Sequence, residues 1–287
     1  MKIAIVGVGL IGGSIAKDIS SKKLASEIIG LDTNPENIDF AIQHGIITSA
    51  ATSYKELNHA DYIILAVPVS NIKNDICKIL DSLHQDVTLM DVASCKSEIA
   101  RVTNGFKRRG NYVSCHPISG TEYAGPQHAL TNLFNGKINI ICDRELTEEY
   151  HLNKALYLLS ELGMKTVCMS SEEHDKHMAF ISHLPHAIGF ALANTIFNSD
   201  DCEKMLTLSG GGFKTSVRLA HSNAAMWRPI FEQNNNEIAD AIDHFIDELI
   251  KIKTSLSNKN EMENLIKKAN AVTAKLKELE KNKSNVL

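Results

Sequence analysis

A chain of 287 residues is long enough to form two domains, each with its own hydrophobic core. Its formal net charge of -4 gives no indication of binding to nucleic acid or to an anionic membrane surface. No apolar run approaches the roughly 20 residues of a membrane-spanning helix. The six cysteines are scattered without a C-x-x-C pair, which indicates reduced thiols in the cytoplasm rather than a disulfide framework or a zinc site.

The N-terminal residues follow the pattern of a dinucleotide-binding unit. The apolar run Lys2–Val6 predicts a buried strand, and G-x-G-x-x-G follows it directly at Gly7, Gly9 and Gly12. Gly7 permits a sharp turn, Gly9 lets backbone approach a pyrophosphate, and Gly12 lets the following helix pack close to the strand. The N-terminus of that helix presents free N–H groups to phosphates.

A second apolar run, Glu27–Leu31, ends at Asp32. An acid at this position accepts hydrogen bonds from the adenosine ribose and repels a 2′-phosphate, so the pattern favours NAD over NADP. The next strand, Ala60–Val67, ends at Pro68, and loops at such strand ends line the nucleotide cleft. The predicted cofactor-binding residues are therefore Gly7, Gly9, Leu10, Ile11, Gly12, Asp32, Val67 and Pro68.

Strands and helices alternate up to about residue 170. Further strands are predicted at Val87–Val92, Asn111–Cys115, Ile138–Cys142 and Lys165–Met169. From Ser171 onward only helical patterns follow, at Glu172–Asn198 (interrupted by Pro185), Phe213–His221, Ala224–Ile252 and Glu261–Leu279. We therefore expect an α/β Rossmann-type domain over residues 1–170, with a doubly wound, mostly parallel sheet, and an all-α domain over residues 171–287.

Two stretches at the predicted sheet edge carry polar groups suited to catalysis. Ser94 follows the strand Val87–Val92 and can hydrogen-bond a substrate hydroxyl, although a serine there can equally cap a helix. His116 ends the strand Asn111–Cys115, and Pro117 restricts its backbone to extended conformations. An imidazole can take a proton at neutral pH, so His116 is either a general base or a structural histidine.

The helical half contains two histidine pairs and a basic stretch. His174 and His177, like His183 and His186, are three residues apart and share a helix face. They are polar core residues, imidazole donors in a substrate pocket or ligands of a metal, but no fixed-spacing ligand set is present. Farther along, the Lys214, Arg218 and Ser222 positions recur every four residues and predict one helix face, on which Arg218 either binds a carboxylate or pairs with a surface acid.

Taken together, the motifs GVGLIGGS, DVASCKS, CHPISGTE, SHLPHAIGFAL and GGGFKTSVRLAHSNAAMW resemble the prephenate dehydrogenase family over nearly the whole chain. The resemblance implies NAD-dependent oxidative decarboxylation of prephenate to 4-hydroxyphenylpyruvate in tyrosine synthesis, by a homodimer joined through its helical domain. It implies no metal. Some members of the family use arogenate instead and make tyrosine.

By this resemblance, His116 takes the proton of the ring hydroxyl and Ser94 orients that hydroxyl. The implied substrate-binding residues are Arg218, His186, Ser182, His174, Ser222, His183 and Glu122. Three residues depart from the family pattern, namely Cys95, Tyr123 and Thr215. The last two bear on the choice between prephenate and arogenate.

Two other functions remain open on the sequence. One is a different two-domain NAD enzyme, such as a 3-hydroxyacid dehydrogenase, which shares the glycine motif but not C-H-P-I-x-G-T-E or S-H-L-P-H. The other is a non-catalytic, dimeric NAD sensor, which binds the cofactor without turning over a substrate.

Overall fold

The computed structural model of the protein describes residues 1–121 and 123–284, and within these ranges eight strands form one sheet. The strands are β1 (Lys2–Val6), β2 (Glu27–Leu31), β3 (Ser49–Ala50), β4 (Tyr62–Leu65), β5 (Thr88–Asp91), β6 (Tyr112–Pro117), β7 (Ile138–Cys142) and β8 (Lys165–Met169). Their order is β3-β2-β1-β4-β5-β6-β7-β8, and every neighbouring pair is parallel except β6 and β7. This arrangement confirms the predicted Rossmann-type, mostly parallel sheet.

Helices alternate with these strands and then continue alone. The α-helices are α1 (Leu10–Ser21), α2 (Pro35–Gln43), α3 (Val69–Ser82), α4 (Ser97–Thr103), α5 (Glu149–Glu161), α6 (Ser171–Met178), α7 (Leu184–Phe197), α8 (Cys202–Thr207), α9 (Gly211–Ser216), α10 (Ala224–Gln233), α11 (Asn235–Ser255) and α12 (Lys259–Ser284). A π-helical turn, Ala179–His183, joins α6 to α7. Among the described residues after β8, the regular structure is helical, as predicted.

Both faces of the sheet are covered, which is why its strands are apolar runs rather than alternating patterns. All four residues of β4 are buried. Ile15 and Ile19 of α1 belong to the core on one face, whereas Ile72 of α3 and Trp227 of α10 belong to the core on the other. Helix α10 therefore packs against the sheet-bearing part of the molecule and brings C-terminal residues toward it.

Two elements differ from the sequence prediction. The short strand β3 pairs with β2 through Ile29 and Gly30, and two residues are too few to produce a recognisable pattern. The helix predicted over Ala224–Ile252 is broken at Asn234, whose backbone leaves helical geometry with φ of -108° and ψ of 28°. The hydrophobic spacing continues across this break, so the sequence pattern gives no sign of it. The side chain of Asn234 donates to the carbonyl of Asp175 and contacts His183.

The chain forms two compact units, Met1–Ile238 and Ala239–Leu287. The first unit contains the sheet and helices α1–α10, and the second contains most of α11 together with α12. The boundary predicted at residue 170 lies within the first unit and stays a prediction of domain organisation. In the described part of the chain, none of the helices has the length and apolar character needed to cross a membrane.

Candidate active site

The glycine motif forms a tight turn between β1 and α1. Gly7 has φ of +90°, a left-handed conformation that favours glycine, and a Cβ there would lie 2.5 Å from the carbonyl oxygen of Ala66. A Cβ on Gly12 would lie only 2.1 Å from the carbonyl oxygen of Gly7. These two glycines are therefore required by the packing of the turn itself.

Gly9 differs from the other two glycines of the motif. A Cβ built on Gly9 meets no atom of the described residues within 4 Å. Its backbone is extended, and it precedes Leu10, the first residue of α1. The unhindered space beside Gly9, at a helix end with unpaired N–H groups, leaves room for a phosphate group to approach the backbone.

Asp32 fixes this loop from the end of β2. One carboxylate oxygen accepts a hydrogen bond from the backbone N–H of Val8 at 2.8 Å, and the other accepts one from the N–H of Asn34 at 2.8 Å. The backbone N–H of Gly7 donates to the carbonyl of Leu31 at 2.8 Å. The acid and the glycine loop therefore form one connected surface, as a dinucleotide site requires.

The carboxyl ends of four neighbouring parallel strands place the predicted groups along one edge of the sheet. Gly7 follows β1, Val67 follows β4, Ser94 follows β5, and His116 lies near the end of β6. Ligands of open parallel sheets bind at this edge. The structure thus brings together the predicted cofactor loop, including exposed Pro68, and the two predicted catalytic residues.

The imidazole of His116 is half-buried, and its Nδ1 is hydrogen-bonded to another histidine. Its Nδ1 lies 2.7 Å from Nε2 of His174, and the two ring centroids are 5.0 Å apart. Burial, His174 and the ammonium of Lys96 together hold the pKa of His116 well below its usual value of 6.5. The ring is therefore neutral at physiological pH, and Nε2 is the nitrogen left to accept a proton.

A fully buried ion pair lies behind His116. The ammonium of Lys96 is 2.6 Å from Oδ2 of Asp91 and also donates to the carbonyl of Cys115. Oδ1 of Asp91 accepts hydrogen bonds from the hydroxyl of Tyr112 at 2.8 Å and from the N–H of Cys115 at 3.1 Å. This network fixes the backbone of β6 immediately before His116.

A π-helical turn lies between α6 and α7, where the interruption at Pro185 was predicted. Pro185 has no N–H to donate to the carbonyl of Ile181, which disfavours a regular helix at this point. The carbonyl of Ser182 accepts a hydrogen bond from Nδ1 of His186 at 2.9 Å. The imidazole of His186 stacks on Trp227, with ring centroids 3.5 Å apart and planes at 29°. Nε2 of His186 remains as a donor or acceptor.

Arg218 lies close enough to His186 to affect its titration. Burial and the charge of Arg218 lower the pKa of His186, against the effect of its hydrogen bond to Ser182. Arg218 is exposed, and Ser222 and Trp227 line an open cleft of about 640 Å³ nearby in the chain. A guanidinium, a neutral imidazole and an indole face together provide groups that bind a carboxylated ring compound.

Lys214, Arg218 and Ser222 do not lie on one continuous helix, so the prediction from their four-residue spacing is wrong. Helix α9 ends at Ser216, Arg218 begins a separate 3-10 turn, and Ser222 follows that turn. With six residues, α9 is too short to carry four-residue spacing over two turns. The position of Arg218 instead follows from the packing of its turn against α7, where Leu219 is 3.4 Å from a Cβ built on Gly189.

Two of the predicted substrate-binding histidines are buried. His174 is 0% exposed and His183 is 2% exposed. Nδ1 of His183 accepts a hydrogen bond from the amide of Asn234 at 3.1 Å, and burial lowers the pKa of His183 to about 4. Direct contact of either histidine with substrate stays a prediction.

The three residues that depart from the family pattern are described in the structure, whereas the predicted substrate-binding acid is not. Cys95 is buried against α10, with its Sγ 3.9 Å from the carbonyl of Ile230. Tyr123 is exposed and stacks on His128, and Thr215 is exposed on α9. Glu122 lies outside the described residues. Within the described part of the chain, no cluster of three or more His, Cys, Asp or Glu side chains is arranged to hold a metal ion.

Several residues that complete the site carry little signal in the sequence. The pair formed by Asp91 and Lys96 was signalled only by an acid at the end of a buried strand and a lysine five residues later. The sole tryptophan, Trp227, was part of a quoted motif but was given no role, and Asn234 lies inside an uninterrupted helical pattern. The roles of Trp227 and Asn234 arise from contacts with residues far away in the chain, His186 for Trp227, and Asp175 and His183 for Asn234.

Comparisons with known proteins agree with this geometry. Residues 15–168 match the family model described as prephenate dehydrogenase, nucleotide-binding domain, and residues 170–270 match prephenate dehydrogenase, dimerization domain. A prephenate dehydrogenase from Bacillus subtilis (strain 168) is 30% identical over 269 residues, covering 92% of this chain and 72% of that protein.

Two solved structures are similar over almost their full length. The crystal structure of prephenate dehydrogenase from A. aeolicus in complex with hydroxyphenyl propionate and NAD+ has a TM-score of 0.88 and 33% identity, covering 97% of this chain and 98% of the other. Synechocystis arogenate dehydrogenase has a TM-score of 0.83 and 26% identity, covering 96% and 100%. Because the two family models together span most of the sequence, this chain belongs to the prephenate dehydrogenase family.

Proposed function

We propose that this protein is an NAD-dependent prephenate dehydrogenase, which converts prephenate to 4-hydroxyphenylpyruvate and CO2 in tyrosine synthesis. The observation that carries this function is the placement of a neutral, half-buried imidazole, His116, on the same sheet edge as the glycine loop. Oxidation of a ring alcohol needs a proton acceptor beside a hydride acceptor, and this edge supplies a place for both.

The residues of this chain fit the nicotinamide cofactor. Gly9 leaves its backbone open to a pyrophosphate, and Asp32 is held where an adenosine ribose would lie. The carboxylate of Asp32 repels a 2′-phosphate, which favours NAD over NADP. When bound at this loop, NAD supplies the hydride acceptor of the reaction.

The protein contributes proton transfer and orientation. His116 accepts the ring-hydroxyl proton at Nε2, so the O–H bond electrons become available to form the carbonyl as the hydride leaves. Ser94, at the end of the adjacent strand, orients that hydroxyl. Loss of CO2 from the opposite ring carbon follows and is driven by aromatisation, so this step asks no acid of the protein.

The other end of the substrate is held by groups of the helical segment. Prephenate carries two carboxylates, and Arg218 offers the planar fork that binds such a group with two parallel hydrogen bonds. We assign His186, Ser182 and Ser222 to the same binding region. His186 is fixed for this task by its hydrogen bond to the Ser182 carbonyl and its stacking on Trp227.

A Gly9→Ala substitution tests the cofactor loop without disturbing the fold. We expect the dissociation constant for NAD to rise at least ~10-fold, about 1.4 kcal/mol, because the new methyl group occupies the space reserved for the phosphates. Calorimetric titration with NAD measures the change.

The matched control is Gly210→Ala. Gly210 also precedes a helix, has a similar extended backbone, and has open space around a built Cβ among the described residues. It should leave NAD affinity unchanged, and both variants should melt within a few degrees of the parent. Equal NAD affinity in Gly9→Ala and the parent protein would place the pyrophosphate elsewhere.

An Arg218→Ala substitution tests the carboxylate site. We expect KM for prephenate to rise roughly 10- to 100-fold with a smaller change in kcat, because a charge-assisted bidentate contact is worth about 1.5–3 kcal/mol. Arg228→Ala is the comparison, since Arg228 is exposed and lies 3.8 Å from Glu232. A larger rise in KM for Arg228→Ala than for Arg218→Ala would transfer the role to Arg228.

The reaction itself is tested by following NADH formation with prephenate and with arogenate, each in the presence of NAD or NADP. The expected order places prephenate with NAD first by kcat/KM. Faster turnover of arogenate would make the protein an arogenate dehydrogenase, as in the Synechocystis relative. Tight NAD binding without turnover of either compound would favour a non-catalytic sensor.

We also propose a homodimer that acts in the cytoplasm. The match to a dimerization-domain model over residues 170–270 supports self-association. Apolar side chains of α11, of α12 and of the short connection between them are exposed on the single chain, at Ile246, Leu249, Ile250, Ile252, Leu256, Ile266, Val272 and Leu276. A surface of this kind is covered in most proteins, and light scattering of the purified protein measures its association state.

A further inference from the structure

A line of three side chains runs from the catalytic imidazole into the protein. Nδ1 of His116 lies 2.7 Å from Nε2 of His174, and Nδ1 of His174 lies 2.8 Å from Oδ1 of Asp175. His174 is 0% exposed and Asp175 is 2% exposed, so solvent does not compete for these contacts. The line connects the base on β6 to the start of the helical segment.

Asp175 is held as a carboxylate. Its two oxygens accept backbone hydrogen bonds from the N–H of Lys96 at 2.8 Å and the N–H of Ser97 at 2.8 Å, in addition to the contact with His174. Burial by itself would raise the pKa of Asp175, but these hydrogen bonds outweigh it and lower that pKa. With every partner a donor, Asp175 can only act as an acceptor.

The protonation of each ring follows from this fixed acceptor. Nδ1 of His174 must carry a proton to donate to Asp175, so Nε2 of neutral His174 is an acceptor. Nδ1 of His116 must then be the donor in the 2.7 Å contact between the two rings. Neutral His116 therefore has its proton on Nδ1, and its Nε2 is an unprotonated base.

We propose that His174 and Asp175 are positioning residues that hold His116 in the tautomer with a bare Nε2 and orient its ring for proton abstraction. The proposal deepens the proposed function, because it assigns how the base of that site is prepared. It also gives His174 a different role from the substrate contact that family resemblance implies. The nearest analogy is a buried carboxylate that fixes the tautomer of a catalytic histidine, with a second imidazole interposed.

The proton step stays balanced within this line. The O–H bond of the substrate breaks, its proton forms an N–H bond at Nε2 of His116, and its electrons stay on the forming carbonyl oxygen. His116 becomes an imidazolium that keeps its Nδ1 proton and donates it to His174. The carboxylate of Asp175, one ring farther away, stabilises the positive charge in a water-excluded setting.

The position of the proton can be observed without any substrate. We expect two-bond ¹H–¹⁵N spectra of ¹⁵N-histidine-labelled protein at neutral pH to show His116 with a protonated Nδ1 and a bare Nε2. The resonances are assigned by their loss in His116→Asn. A protonated Nε2 on neutral His116 in the parent protein would overturn the proposal, whatever the protein's activity on prephenate.

Two substitutions at position 174 separate positioning from packing. His174→Phe keeps an aromatic ring but removes the acceptor, whereas His174→Gln places an amide oxygen within reach of Nδ1 of His116. We expect His174→Phe to lower kcat ~100-fold or more with a smaller change in KM for prephenate, and His174→Gln to recover at least ~10-fold of that loss. Spectra of the Phe variant should show His116 as a mixture of tautomers.

His177→Phe is the matched control, because His177 lies on the same helix, three residues later, and is exposed. It should retain the parent kcat and the parent spectrum. Equal losses of kcat in His174→Phe and His174→Gln, with the parent tautomer retained in both, would mean that His174 only packs against His116 and would overturn the proposal. If the parent protein does not oxidise prephenate, the proposed function fails, while the spectra still decide the tautomer.

Discussion

A His116→Asn variant is expected to bind NAD with the affinity of the parent protein and to lose ~10²–10⁴-fold in kcat, the range that general base catalysis contributes. Asparagine can occupy the end of β6 and hydrogen-bond to His174, but its amide cannot accept the proton of the ring hydroxyl at neutral pH. Steady-state kinetics with saturating prephenate, together with titration of NAD, measures the two effects separately.

The histidine control for this variant is His59→Asn, at an exposed position just before β4 begins and therefore at the opposite end of that strand from the predicted site. It should leave kcat unchanged. A His116→Asn enzyme that keeps kcat within a few-fold of the parent would remove His116 from proton transfer. A loss of NAD affinity as large as the loss of kcat would instead make it part of the cofactor site.

The second large effect is expected on stability, from the ion pair of Lys96 and Asp91. Both side chains are 0% exposed, and their contact is 2.6 Å long. Lys96→Met removes the cation and leaves a buried carboxylate without its counter-charge, so we expect the free energy of unfolding to fall by about 3–5 kcal/mol. Urea unfolding followed by circular dichroism measures the change.

Two further variants give this experiment its controls. Lys73→Met breaks a lysine–glutamate pair with Glu98 in which both side chains are about one-third exposed, so it should cost less than about 1 kcal/mol. Adding Asp91→Asn to Lys96→Met neutralises the stranded charge and should recover part of the lost stability. A Lys96→Met protein as stable as Lys73→Met would mean that water or another cation already serves Asp91.

These two predictions have a common structural basis. The ammonium of Lys96 donates to the carbonyl of Cys115, one residue before His116, and its positive charge contributes to lowering the pKa of His116. We therefore expect the variant at Lys96 to lower kcat as well as stability, because the backbone before His116 loses the donor that fixes it and His116 loses one of the charges that lower its pKa. The double variant should restore stability more than kcat.

Patterns that act over short distances in the chain predicted much of this protein. The glycine motif, the apolar runs of β1, β2 and β4, and the acid Asp32 produced the correct dinucleotide-binding unit, since each depends on its own backbone and nearest neighbours. The placement of His116 at a strand end followed in the same way. The break at Asn234 was missed, because hydrophobic spacing carries no information about a side chain recruited elsewhere.

The helical part shows the opposite case. Four-residue spacing placed Arg218 on a continuous helix with its neighbours, whereas the chain forms a short helix and a separate turn. Resemblance to a family still selected Arg218, because a motif can be recognised without knowing its local conformation. The same resemblance gave no indication that His174 is fully enclosed between His116 and Asp175.

The sequence by itself determined the mostly parallel sheet and the residue types that follow each of its main strands. Local periodicity and the steric limits on glycine and proline decide these features. The tertiary structure alone decided which polar groups meet in the dry interior. His174 meets His116, and Asp175 meets the backbone N–H groups of Lys96 and Ser97, only once the helical segment packs on the sheet and removes water. Burial then determines protonation, since a charge or a proton position is fixed only by partners that solvent cannot replace.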